Sequence, residues 1–139
     1  MSDLVVVDAS VAMKWFVDED DSDRAETLLA ADIAIAPAII LSEVGNGIWT
    51  KRRSAGIDGA SASRFIGHLT QLLREVVPLD TLMAEAMKLA FDLDHPVYDC
   101  VYLALARSRG SVLVTADKRF IDKLSGQDHP VALLADWTP

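Results

Sequence analysis

Leu4-Val5-Val6-Val7-Asp8-Ala9-Ser10 constrains the fold more than any other stretch of this chain. A wholly apolar run rich in β-branched residues reads as a strand buried on both faces, as at the centre of a parallel sheet. The run stops at a carboxylate, a small residue and a hydroxyl. Ligands of open α/β sheets gather at the carboxyl ends of strands, so Asp8 stands where chemistry is expected. A plainer role is also open to these residues taken alone, with Asp8 turning the chain and Ser10 capping a helix.

The pattern returns late in the chain. Ser111-Val112-Leu113-Val114-Thr115 is again apolar and β-branched, and it ends in Thr115-Ala116-Asp117 ahead of a helix over Lys118 to Leu124. Asp117 suits the N-cap of that helix. Two further short strands are expected at Ile33 to Ala36 and Glu75 to Pro78, and an edge strand at Val131 to Leu134. Helices are expected between them. Val11 to Phe16 has helical character, and the acidic run Asp18 to Asp21 that follows reads as a solvated loop. Ser22 or Asp23 can cap a helix through Ala31, with Ala25, Leu28 and Leu29 inward. Ile39 to Thr50 presents Ile40, Leu41, Val44 and Ile48 on one face. The basic cluster Lys51-Arg52-Arg53 complements that helix's C-terminus. Ala60 to Leu73 buries Phe65, Ile66, Leu69, Leu72 and Leu73. A helix from Asp80 or Thr81 to Leu93 buries Leu82, Ala86, Leu89 and Ala90. The next begins at Pro96 or Val97.

Strands alternating with helices imply a parallel sheet with right-handed crossovers. The 139 residues hold no repeat or linker, so one domain over residues 1–139 is expected, burying roughly two-thirds of its unfolded surface. No run is long enough to span a bilayer and no signal pattern opens the chain. With Cys100 alone, no internal disulfide can form, and a cytoplasmic location is expected. The net charge of −8 argues against a large basic nucleic-acid footprint but leaves room for a site that holds divalent cations.

Two more carboxylates complete the set. Glu43 shares a helix face with Asn46, Gly47 and Thr50; it reads either as an ordinary exposed glutamate of an amphipathic helix or as a partnered carboxylate amid apolar sequence, where the glycines permit close approach to the backbone. Asp99 falls in the first turns of a helix that is otherwise apolar, near the positive end of its dipole. His95 reads as a loop residue and Cys100 as buried packing. In a parallel sheet the first and fourth strands open on one edge, so Asp8 and Asp117 share a cleft that Glu43 and Asp99 can face. Clustered carboxylates repel and require raised pKa values or a cation. An all-oxygen set favours Mg²⁺ or Mn²⁺. Two such ions about 4 Å apart would stabilise the attacking and leaving oxygens of phosphodiester hydrolysis.

The ordered set Val7-Asp8-Ala9-Ser10, Ser42-Glu43-Val44-Gly45-Asn46, Tyr98 to Ala106 and Val114 to Phe120 resembles PIN-domain ribonucleases, and most of all the VapC-type toxins of toxin–antitoxin pairs. The resemblance implies a three-layer α/β/α sandwich around a parallel sheet of four to five strands. It also implies Mg²⁺-dependent RNA cleavage, a homodimer and inhibition by a small antitoxin protein. By position, Asp8, Glu43, Asp99 and Asp117 match the family's metal-binding acids, Ser10 and Thr115 its supporting hydroxyls, and Asn46 a frequent site neighbour. Gly45 and Cys100 stand where alanine is usual, and Asp122 is a weak match for a further acid. An aspartate-nucleophile phosphatase would need a second aspartate where Ser10 stands. A receiver domain would need an acceptor aspartate that Val76-Val77-Pro78-Leu79 does not offer. The remaining alternative is a PIN-like module that binds RNA or protein without cutting. Trp15, Phe16, Ile39, Ile40, Trp49, Phe65 and Ile66 are divided between core and an exposed groove for a partner.

Overall fold

The computed structural model describes residues 3–139. Its first strand, β1 (Val5–Val7), is buried along its whole length. Each such side chain withdrawn from water stabilises the fold by roughly 1.5–3 kcal/mol. β2 (Ala34–Pro37) and β3 (Glu75–Val77) extend the sheet on one side of β1, and β4 (Val112–Thr115) and β5 (Val131–Leu133) on the other. The order is β3-β2-β1-β4-β5 and every pairing is parallel. The chain therefore winds outward from β1 in one direction and then returns to wind in the other. The switch point lies between β1 and β4, where an open α/β sheet forms its crevice. With the helices on its two faces the sheet is the centre of an α/β/α sandwich.

The helices are α1 (Ala9–Ala12), continued by a 3₁₀ turn over Met13–Trp15, then α2 (Ser22–Ala30), α3 (Ile39–Lys51), α4 (Gly59–Leu72), α5 (Met83–Leu93), α6 (Val97–Arg109) and α7 (Lys118–Lys123). Among them α6 lies deepest, with seven consecutive residues, Cys100 to Ala106, buried. A helix apolar all round must be covered all round, and α6 packs against β1, β2 and β4 as well as α5. Gly110, at φ 61°, ends it in the left-handed conformation that a glycine adopts without steric cost. No helix among the described residues is long and apolar enough to cross a membrane.

Several local expectations change. Ser22 does not cap α2; Asp21 precedes the helix in a left-handed conformation, and the Ser22 hydroxyl accepts from the Glu19 amide and donates to the Val17 carbonyl. Nor is the acidic run wholly solvated, since Glu19 pairs with Lys51 and lies 3.7 Å from Lys14. The helix expected from Asp80 starts at Met83, because Leu79–Thr81 forms a separate 3₁₀ turn closed by the Leu82 amide on the Leu79 carbonyl. The close approach permitted by Gly47 is made by the protein itself: a Cβ there would lie 3.0 Å from Met13 Sδ. Of the large apolar residues divided between core and groove, Ile40 is fully buried. Trp15, Phe16, Ile39, Phe65 and Ile66 pack partly buried against the core. Trp49 alone among them is largely exposed, with the Arg52 guanidinium 4.0 Å from its ring centroid. Trp137 packs back on the core, and its carbonyl accepts from Arg24.

Candidate functional site

β1 and β4 are registered with Val7 opposite Val114. The next residues, Asp8 and Thr115, are therefore level with each other at the switch point. Asp8 is only 9% exposed, and it is held by one bond across the register and by two from its own helix start. The Thr115 hydroxyl donates to Oδ2 across the two strand ends. The Ser10 hydroxyl donates to Oδ1 at 2.5 Å, and the Val11 amide reaches the same oxygen at 3.3 Å as an N-cap bond. Both hydroxyls are themselves held, Ser10 Oγ accepting from the Ala116 amide and Thr115 Oγ1 from the Asp117 amide, each at 3.0 Å. The capping role and the cleft position are thus the same fact. Burial pushes the Asp8 carboxyl up to about 6, against three hydrogen bonds that favour the anion; the negative charge of Asp99 adds to the rise.

Glu43 stands on the second turn of α3, half-buried. The phenol of Tyr102, on α6, donates to its Oε1 at 2.5 Å. Desolvation raises the Glu43 carboxyl, the Tyr102 bond opposes this, and Asp99 again pushes upward. The Tyr102 phenol is raised far above its ordinary range by its own burial and then by the charges of Glu43, Asp8 and Asp99. Asp99 lies in the first turn of α6, and His95, in the loop before it, meets Asp99 Oδ2 through Nε2 at 2.7 Å. A carboxylate only accepts, so Nε2 carries the hydrogen of this bond. The His95 ring also lies against Phe120, centroids 4.9 Å apart.

Asp8, Glu43 and Asp99 therefore share one electrostatic neighbourhood. Asp117 joins it less directly. It caps α7, with Oδ1 accepting from the Arg119 and Phe120 amides, and touches the rest through its own amide on Thr115. Among the described residues no three His, Cys, Asp or Glu side chains are gathered closely enough to enclose an ion by themselves. Asn46 is exposed and lines a surface groove of about 320 Å³ with Ile39, Ser42, Glu43, Gly47 and Tyr98. Tyr98 is 57% exposed there. The side chains of Lys118, Arg119 and Asp122 are all exposed on α7. Cys100 is buried packing, as expected, its thiol pushed up to about 11 by desolvation.

Two residues of this constellation escaped sequence reasoning. Tyr102 was legible only as one more apolar position of α6, yet its place three residues after Asp99 puts it on the same helix face. His95 is the loop residue expected, but its spacing of four from Asp99 brings an imidazole to an otherwise all-carboxylate set.

The family model described as "PIN domain" matches residues 5–124, which takes in β1 through α7 and all four acids. The chain belongs to the PIN-domain family. Among the relatives of this chain, the protein named Exonuclease VapC9 from Pyrobaculum aerophilum is 34% identical over 89 residues, covering 63% of this chain and 65% of that protein. Ribonuclease VapC3 from the same organism is 28% identical over 122 residues, covering 86% and 93%. The fold is shared with a solved toxin–antitoxin complex from Klebsiella pneumoniae, at a TM-score of 0.69 and 15% identity over 94% of this chain and 97% of that one. The four- to five-stranded parallel sandwich implied by the sequence is thus the PIN fold in its five-stranded form.

Proposed function

We propose that this PIN-domain protein is a divalent-metal-dependent endoribonuclease, the toxin of a cytoplasmic toxin–antitoxin pair, with Asp8, Glu43, Asp99 and Asp117 as its metal-binding acids. One observation carries the reading: three acids, at the end of β1, on α3 and on α6, are held in one field, in which the charge of Asp99 raises both Asp8 and Glu43. Oxygen donors of this kind fit a hard ion, Mg²⁺ or Mn²⁺. Such an ion, when bound, polarises a phosphate and makes water a competent nucleophile near neutral pH.

The chain's own part is orientation. Ser10 and Thr115 fix both oxygens of Asp8, Asp117 stands on the adjoining strand end, and Asn46 lines the groove beside Glu43. A groove lying open along α3 suits an internal segment of RNA better than a chain end, which favours endonucleolytic cutting. Internally and end-labelled RNA, incubated with Mg²⁺ or with EDTA, tests both parts of this reading. Internal cuts that need Mg²⁺ and vanish in Asp99→Asn are expected. RNA binding without any cleavage would turn the assignment to a non-cutting module.

The partner proposed is an antitoxin that places a basic side chain in the acid cleft. Its inhibition should then weaken as Mg²⁺ rises; inhibition indifferent to Mg²⁺ and to Asp8→Asn would remove the occlusion mechanism. A homodimer is proposed with it, and Phe91, 80% exposed beside the half-exposed Met87 on α5, supplies apolar surface for self-association. Light scattering at tens of micromolar, roughly where even a weak dimer populates, reads the outcome directly.

A further inference from the structure

Trp49 is the one large apolar side chain of α3 left in solvent, 60% exposed. It shares an exposed helix face with Ser42 and Asn46, at spacings of four and three. Those two residues also line the groove beside Glu43, together with the exposed Tyr98. Past Trp49 come Lys51, Arg52 and Arg53, the only three consecutive basic residues in a chain of net charge −8. Lys51 is committed to Glu19. Arg52 donates from Nη1 to the Trp49 carbonyl at 2.7 Å and holds its guanidinium 4.0 Å from the indole ring centroid. The exposed Arg53 side chain has no partner among the described residues. We propose that Trp49 is a base-stacking platform, with Arg52 and Arg53 as phosphate contacts, for unpaired RNA laid along α3 toward Glu43. The inference rests on RNA as the substrate of this protein and needs no metal ion.

The composition of the face favours RNA over a protein partner. The neighbours of the indole are a hydroxyl, an amide and two guanidiniums, and an apolar protein surface would have to strip each of these of water without replacing its hydrogen bonds. Unpaired RNA satisfies all of them. A base stacks on an aromatic or guanidinium plane, and phosphate oxygens accept from arginine. Every base offers a π-face, so the platform tolerates any sequence, whereas in a duplex those faces are taken by neighbouring bases. Glu43 and Trp49 are six residues apart on one helix, about 9 Å along its axis, or roughly three stacked nucleotides. Between them the Asn46 side-chain amide has no hydrogen bond among the described residues and is free to meet a base edge or a ribose hydroxyl. The acids repel phosphates at one end of this track and the guanidiniums attract them at the other, so the RNA is anchored at Trp49.

The test is fluorescence anisotropy of labelled oligouridylate, unpaired or annealed to oligoadenylate, titrated with the full chain in EDTA over a range of salt. The wild type should bind the unpaired form more tightly. Trp49→Ala should weaken that binding about 10-fold, with duplex binding and the salt slope unchanged. Trp49→Phe, which keeps a π-face, should recover most of the loss. Arg52→Ala and Arg53→Ala should instead each lower the slope of log Kd on log salt by about 0.7, the loss of one phosphate contact. Equal binding of both RNA forms by the wild type, wild-type affinity in Trp49→Ala, or an unchanged slope in both arginine variants overturns the inference, and Mg²⁺-dependent cleavage by the same preparations then leaves the nuclease reading standing. Self-association altered in Trp49→Ala, with RNA affinity unchanged, gives the face to a second copy of the chain. A wild type that neither binds RNA nor cuts it overturns both.

Discussion

The ends of β1 and β4 look alike in sequence, each an apolar strand running into small residues and an aspartate that caps the next helix, yet the two aspartates live in different surroundings. Asp8 follows its strand directly and is level with Thr115, so it is walled in by the neighbouring strand end and its carboxyl rises to about 6. Asp117 comes two residues after its strand, beyond the end of the register, and is half-exposed with its Oδ1 turned to the amides of α7. A one-residue spacer, Ala116, separates a buried charge from an ordinary cap. Strand register, more than residue identity, decides which carboxylate carries the electrostatic strain of the site.

The largest effect that separates the two should come from charge removal. If the proposed metal-binding role holds, Asp8→Asn and Asp117→Asn should both lower RNA cleavage by more than about 100-fold, since ligands matter more than their partners. Their stabilities should diverge. In the fold the Asp8 carboxyl titrates at about 6, whereas in the unfolded chain it titrates near the usual value of about 4. Between these values the folded protein holds more protons, so the stability tied to this group is full below the window and lost as pH rises through it. In EDTA, Asp8→Asn should therefore gain on the order of 2 kcal/mol at about pH 8, shrinking to nothing near about pH 4. Denaturant melts at the two pH values measure this, and a gain independent of pH would refute the burial argument. Asp117→Asn should show no such gain, because asparagine caps as well as aspartate.

Metal should sharpen the same contrast. Mg²⁺ binding to the native state is expected to raise the melting temperature of the wild type, and to raise that of Asp8→Asn less. Thr115→Val, which takes away the donor to Asp8 Oδ2 and the acceptor of the Asp117 amide, should cost about 1–3 kcal/mol by urea unfolding. Asp117→Ala, a lost cap only, should cost about 1 kcal/mol in the same measurement. The smallest effect should lie at the far edge of the sheet. There Arg109 grips Glu75 through two bonds of 2.9 and 2.6 Å in an exposed setting, and Glu75→Gln should cost no more than about 0.5 kcal/mol.

The sheet was legible in the sequence because its strands are short β-branched runs with turn residues between them, and a parallel order follows once helices alternate with strands. The positions of Asp8, Glu43 and Asp99 were legible for a related reason: a carboxylate at the end of an apolar run, or inside one, has few places to go. What could not be read was the pairing across the chain. Periodicity places Tyr102 on a buried face but says nothing of which side chain its hydroxyl meets 59 positions away. The exposure of Phe91 was equally hidden, because the same apolar residue fits the inner face of α5 or a surface awaiting a partner.

The bond from Thr115 to Asp8 joins residues 107 positions apart, and it has a consequence in time as well as in space. Synthesis delivers Asp8 long before Thr115. A chain on the ribosome that has not yet exposed β4 has β1 without the neighbour that walls in Asp8. Contacts this distant in sequence form late, after the closure of long loops has been paid in entropy. The Asp8 side of the acid constellation thus takes its final form only once β4 has joined the sheet.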